Sequence, residues 1–314
     1  MQIQKETQTP IGVYLIILFG AQLAIGAAAI FARYAMHGAG PLTVSALRLT
    51  IASLAIVLIN RHMKRRVSVS HNHEIVFAFC GLALSVHFGT WMASLLFTSV
   101  AIATLLVSTS PIWTALYDVF VLRRKPTLLF WIGFVAAAFG TVLIVTATSG
   151  EVLATHGFAD LIGEVLSAAG GIAFAAYLIA IRSLSSKYPT LVVVGRTYSW
   201  AAVFLWLGAL LFHEQIPCCD FKSWLGILGL ALVSQLLGHT GINASLKRFT
   251  PNVVAFSTLL EPVFAAVLAS LIFGETLSTQ MITGSLILLG AVSAILCAQS
   301  ADEDLEFAKA APEL

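Results

Sequence analysis

The chain has 314 residues, 59% of them hydrophobic and only 10% charged, with a mean hydropathy of +0.93; soluble domains carry about 25% charged residues. One spanning helix takes about 20 apolar residues, so this length excludes a large soluble catalytic or ligand-binding domain. The net charge of +2 is too small to imply a nucleic-acid partner.

The polar start, MQIQKETQTP, is followed by an apolar run from Ile11 to Ala32. That run is too long for the h-region of a secretory signal and predicts a retained first helix. Further apolar runs predict ten helices in all, over about 11–35, 42–60, 74–97, 100–121, 128–148, 158–181, 190–213, 222–246, 252–273 and 279–298. Around 98–101 the competing parse is one overlong helix, but its 48 residues exceed a single crossing. Cys80 and Cys297 lie in apolar runs, and the adjacent Cys218 and Cys219 cannot easily close on each other, so no disulfide framework is expected.

Lys and Arg in the connections set the orientation. With a cytoplasmic N-terminus, the inner side collects Lys5, Arg61, Lys64, Arg65, Arg66, Arg123, Arg124, Lys125, Arg182, Lys187, Lys247, Arg248 and Lys309, and the outer side only Arg33 and Lys222. Both termini are therefore expected in the cytoplasm. The Arg61–Arg66 run reads as a topology determinant at the lipid surface rather than a regulatory lipid site. The tail, 299–314, is short and acidic and is expected to be disordered.

The halves repeat. PLTVSALR, from Pro41 to Arg48, corresponds to PTLVVVGR, from Pro189 to Arg196, and the offset of close to 150 also pairs Pro111 with Pro262 and Gly133 with Gly284. Five helices per unit is an odd number, so the second copy enters the membrane inverted. The expected architecture is an all-α polytopic membrane protein of ten helices in two inverted repeats, over 11–148 and 158–298.

Two five-helix units, the ALR sequence at Ala46 to Arg48, and LLEPVFAAVLASLIFGETLS from Leu259 to Ser278 carry a family resemblance. The chain resembles the EamA branch of the drug/metabolite transporter superfamily, over nearly its whole length. The resemblance implies a ten-helix secondary transporter of the bacterial inner membrane, often exporting amino acids or other small metabolites by alternating access. One departure is that Arg124 and Lys125 stand where Glu275 and Thr276 fall in the second copy.

Pro111 and Pro262 fall near the middle of the fourth and ninth helices, where each leaves the carbonyl four residues back (Val107, Thr258) short of a donor. Matched interruptions in two halves point to a transport site or hinge. Arg48 and Arg196 lie about two turns inside their helices; each must be paired or snorkel. Depth suggests Arg196 with Asp118, and Arg48 with Asp160 or Glu164, as gating or structural ion pairs. Glu261, beside Pro262, is the deepest acid and the candidate for proton coupling; a packed, hydrogen-bonded carboxyl is the plainer alternative. Gln235, His239 and Asn243 recur at four-residue spacing, and His87 precedes Trp91 by one turn. With Trp113, Tyr117, Gln22 and Ser257 they form the candidate substrate cavity, although the aromatics are equally consistent with packing or interfacial roles. Gly81, Ser85, Gly89 and Gly163, Ser167, Gly171 are stripes for close helix packing.

No G-x-S-x-G, H-E-x-x-H or Walker pattern occurs, so no enzyme, metal or cofactor is expected. The expected function is export of a small amphipathic metabolite such as a neutral or aromatic amino acid. Drug or other metabolite export is the alternative, and an intramembrane enzyme or passive channel the different-class rival. The expected partners are a small-molecule substrate and the lipid bilayer; the sequence does not distinguish monomer from homodimer.

Overall fold

The computed structural model describes residues 10–64, 67–124, 127–148, 158–214, 220–273 and 277–310, and every regular element among them is helical. In hydrocarbon each backbone donor and acceptor must be satisfied internally, and a chain this apolar does so by helix formation. The first half holds α1 (Ile11–Gly26), α2 (Ala28–Ala35), α3 (Pro41–His62), α4 (His71–Ser94), α5 (Val100–Val107), α6 (Ser110–Phe120) and α7 (Leu128–Thr148). The second holds α8 (Phe158–Ser185), α9 (Thr190–Leu211) and α10 (Phe221–Gly229), which runs through a π-helical segment, Leu230–His239, into α11 (Thr240–Ser245). Then follow α12 (Pro251–Thr258), α13 (Glu261–Phe273) and α14 (Thr279–Ala310).

Local sequence explains many of the helix ends. Side chains of Ser70, Ser99, Asp220 and Thr250 accept hydrogen bonds from the first free N–H groups of α4, α5, α10 and α12. Ser99 thus separates the third predicted span from the fourth. Lys64, Arg123 and His213 adopt positive φ just past α3, α6 and α9, the left-handed turn that closes a helix C-terminus.

Among the described residues, eight helical stretches are long and apolar enough to cross a membrane: Ile11–Ala35, Pro41–His62, His71–Ser94, Leu128–Ala147, Phe158–Ser185, Thr190–Leu211, Phe221–Ser245 and Pro251–Ile272. The chain is a multi-pass, all-α membrane protein. Two of the ten expected segments differ from that standard: the fourth is divided at Ser108 and Thr109 into α5 and α6, and the tenth has a shorter apolar part, Thr279–Ile295. The expected disordered tail is also corrected, because α14 continues to Ala310. Ala, Glu, Leu and Lys favour helix there, and no Gly or Pro interrupts before Pro312. Arg65, Arg66, Lys125, Cys218, Cys219, Glu275 and Thr276 lie outside the described residues.

Helix contacts are reciprocal between the halves. α7 packs on α14 and α3 on α9; α4 packs on α8 as α10, the π segment and α11 pack on α1 and α2; α5 and α6 meet α8 as α12 and α13 meet α1. Small residues permit these approaches. A Cβ on Gly140 would stand 2.8 Å from the Gly284 carbonyl oxygen, and one on Gly284 equally close to that of Gly140. Gly133, the repeat mate of Gly284, lies against Ala291 and Ile295. Gly81 abuts Trp200, Gly163 abuts Thr98, the Ser167 hydroxyl donates to the Ala103 carbonyl, and Gly171 abuts Val107 and Thr109. These small-residue stripes therefore pack within the chain.

Candidate substrate cavity

A cavity of about 40 Å³ lies where α3, α4, α8, the π segment and the two broken helices converge. Its lining includes Ile25, Ala28, Arg48, His87, Phe88, Trp91, Val107, Ser108, Ser110, Phe174, His239, Ile242, Thr258 and Glu261. Small-molecule sites commonly measure about 300–1,000 Å³, so this cavity is contracted to water-sized space.

Arg48 is 1% exposed. Its Nε donates to Gln235 Oε1 at 2.8 Å, and its guanidinium carbon stands 4.0 Å from the centre of the Phe88 ring, within cation–π range. His87 Nδ1 lies 3.0 Å from the Gly170 carbonyl oxygen. A carbonyl only accepts, so Nδ1 carries the proton and Nε2 is left as an acceptor. The His87 ring stacks on Phe174 at 4.7 Å and stands 6.2 Å from His239. His239 is positioned in turn by Phe88, whose ring meets it edge to face at 4.9 Å.

Four lining residues present buried polar atoms with no hydrogen-bond partner among the described residues: Arg48 Nη2, Trp91 Nε1, Ser110 Oγ and His239 Nδ1. A buried polar group left unsatisfied costs about 1–3 kcal/mol.

The remaining predicted residues divide. Gln22 Nε2 donates to Ser257 Oγ at 2.9 Å, tying α1 to α12, and the Tyr177 hydroxyl donates to Asn243 Oδ1 at 2.7 Å, tying α8 to α11. Gln22, Gln235, Asn243 and Ser257 thus support the cavity from behind. Trp113 and Tyr117 do not line it: Trp113 is 37% exposed, with Nε1 donating to Thr109. Phe88 and Phe174 supply the aromatic wall instead. A phenylalanine in an apolar run carries no sign of which way it faces, so the sequence offered no signal for either.

The predicted ion pairs are corrected. Arg196 pairs with Glu74 of α4, whose second oxygen accepts from Trp200 Nε1 at 2.8 Å. Its predicted partner, Asp118, lies on α6. Arg48 turns to Gln235 rather than to Asp160 or Glu164 of α8. Helix packing decided both, because α9 lies along α4, and α3 along the π segment.

Pro111 and Pro262 are second residues of α6 and α13 rather than mid-helix positions. In the first turn a missing N–H breaks no helical bond. The interruptions sit just before them, at Ser108–Thr109 and Leu259–Leu260, and Ser108, Ser110, Thr258 and Glu261 at or beside them line the cavity. Hydroxyls of Thr109 and Thr258 donate back to the carbonyls of Leu106 and Ala255, supplying donors to carbonyl groups at these breaks. The π segment was likewise absent from the α-helical reading of Gln235, His239 and Asn243; its wider turn is a feature common at functional sites.

The model of the EamA-like transporter family matches twice, over residues 12–146 and 161–297. The chain belongs to the EamA-like transporter family. It is 25% identical over 289 residues to the threonine/homoserine exporter RhtA of Escherichia coli K12, covering 91% of this chain and 90% of that protein. It is 22% identical over 268 residues to an uncharacterized transporter of Archaeoglobus fulgidus, covering 82% and 90%. A crystal structure with 20% sequence identity superposes with a TM-score of 0.77, over 92% of this chain and 99% of that one, and so shares the fold. In this EamA-family transporter the cavity lies between the two matched units: Arg48, His87, Trp91 and Ser110 come from the first, Phe174, His239 and Glu261 from the second.

Proposed function

We propose that this EamA-family transporter exports a small zwitterionic amino acid by alternating access through the cavity between its two matched units. The observation that carries the reading is the pairing of free donors with an acid. Arg48 Nη2, Trp91 Nε1 and Ser110 Oγ can donate to a carboxylate, while Glu261 on the same wall is the counterpart for an ammonium. Phe88 and Phe174 offer apolar area to the side chain. The threonine/homoserine exporters among the relatives agree with this class.

Ten spans in two inverted units, with both termini in the cytoplasm, complete the proposal. Its support is the positive-inside distribution, the odd helix number per unit, and the reciprocal helix contacts. The breaks before Pro111 and Pro262 are the hinges at which the contracted cavity widens, and Glu261 is the proton-coupling group. A lipophilic cationic drug is the second reading, favoured by Glu261 beside aromatic faces; Arg48 on the same wall weighs against it.

Counterflow tests the proposal. Proteoliposomes preloaded with unlabelled threonine, homoserine or an aromatic amino acid should accumulate the radiolabelled compound saturably, and empty liposomes should not. Absence of counterflow for the whole panel, from a sample shown to be folded, would exclude the amino-acid reading.

A further inference from the structure

A second cavity, of about 460 Å³, opens between α3, the start of α4 and α9, and shares no residue with the first. Val57, Val192 and Val203 form apolar wall, and Arg61 stands at the end of α3. Glu74 belongs to the lining, but its two oxygens are taken by Arg196 and Trp200. Arg61 is the lining cation whose side chain has no ion pair or hydrogen bond among the described residues.

Exposed apolar side chains continue along the helices that form this cleft. Leu54 and Leu58 on α3 are 57% and 63% exposed, and Val203 and Leu207 on α9 are 48% and 51% exposed. Leu54 and Leu58 precede Arg61 by about two turns and one turn of α3, and Leu207 follows Val203 by one turn of α9, so exposed apolar side chains lie along the same helices as the unpaired guanidinium. A soluble anion would meet the cation but leave the valine wall uncovered. A phospholipid satisfies both, with acyl chain and glycerol against the valines and phosphate at Arg61, and juxtamembrane cations favour anionic lipids in this way.

We infer that the α3–α4–α9 cleft is a binding site for an anionic phospholipid, with Arg61 engaging the headgroup phosphate. The site is independent of the transported substrate, and its test reads lipid binding rather than flux. Native mass spectrometry of the full chain in detergent, titrated with phosphatidylglycerol or phosphatidylcholine, should show about a fivefold preference for phosphatidylglycerol, the factor one cation near the headgroups supplies. Arg61→Gln should abolish the preference, Val203→Trp should reduce retention of lipid by filling the cleft, and Lys64→Gln, outside the lining, should leave both unchanged. Glycerol 3-phosphate and inorganic phosphate should fail to displace the lipid. Equal retention of the two lipids, or a preference that survives both Arg61→Gln and Val203→Trp, would overturn the inference. So would displacement by inorganic phosphate, which would identify a soluble-anion site.

Discussion

Arg48 on α3 and Gln235 on the π segment are joined by a 2.8 Å hydrogen bond that links the two matched units at the cavity wall. The bond uses Nε and leaves Nη2 without a partner, so one guanidinium both anchors the wall and offers a free donor. Arg48→Lys keeps a charge but loses this division of labour. The expected result is a ten- to hundredfold weaker apparent affinity in counterflow, from roughly 1.5–3 kcal/mol for a charged hydrogen bond. Gln235→Leu should show a smaller loss. Wild-type affinity in Arg48→Lys would assign Arg48 a structural role alone.

Glu261 tests coupling separately from binding. Glu261→Gln preserves size and hydrogen-bonding capacity but cannot take up and release a proton. Flux in this variant should no longer respond to an imposed pH gradient, and an unchanged response would remove the proton role. Melting in detergent, measured alongside, distinguishes lost coupling from lost folding.

Glu74 and Arg196 should behave as a coupled pair. The side chains are 28% and 42% exposed, so solvent screening holds the interaction to about 0.2–1 kcal/mol. In a double-mutant cycle of thermal stability, Glu74→Ala and Arg196→Ala should be non-additive by that amount. Asp118→Ala should add independently to Arg196→Ala, and coupling there would contradict the observed pairing.

The α7–α14 crossing should tolerate no side chain at Gly140. Gly140→Leu forces atoms into a space where even a Cβ meets backbone at 2.8 Å, and overpacking of this kind costs about 1–3 kcal/mol. Gly290→Ala, with nothing within 4 Å of the added carbon, is the control. The detergent melting temperature should fall for the first and hold for the second.

Asp220 makes the start of α10 sensitive to acid. A hydrogen bond from the Ser223 N–H to Oδ1, at 2.8 Å, holds its carboxyl below the ordinary aspartate range. A depressed folded-state value means that the cap stabilises at neutral pH and is lost as pH falls through that value. Amide-exchange protection at Ser223 should therefore hold at neutral pH and drop as the pH falls below the ordinary aspartate value of about 4. Asp220→Asn should retain a cap without this pH dependence, and equal pH dependence in both proteins would refute the assignment.

Sequence alone determined the membrane location, the approximate spans and the two-unit organisation. These depend on local properties: the length of an apolar run, a capping serine such as Ser99, a residue spacing repeated from Arg48 to Arg196. It also marked Arg48, His87, Trp91, His239 and Glu261, because polar groups in apolar runs need a reason to be there. Tertiary structure decided which of the marked residues meet. It put Glu74 rather than Asp118 beside Arg196, brought Phe88 and Phe174 to the cavity, turned Trp113 outward, and moved the helix breaks ahead of the two prolines. The physical reason is that an apolar side chain facing lipid and one facing a cavity have the same local hydropathy. Only contacts between distant helices, such as Gly140 against Gly284, set the rotation of each helix and so choose between them.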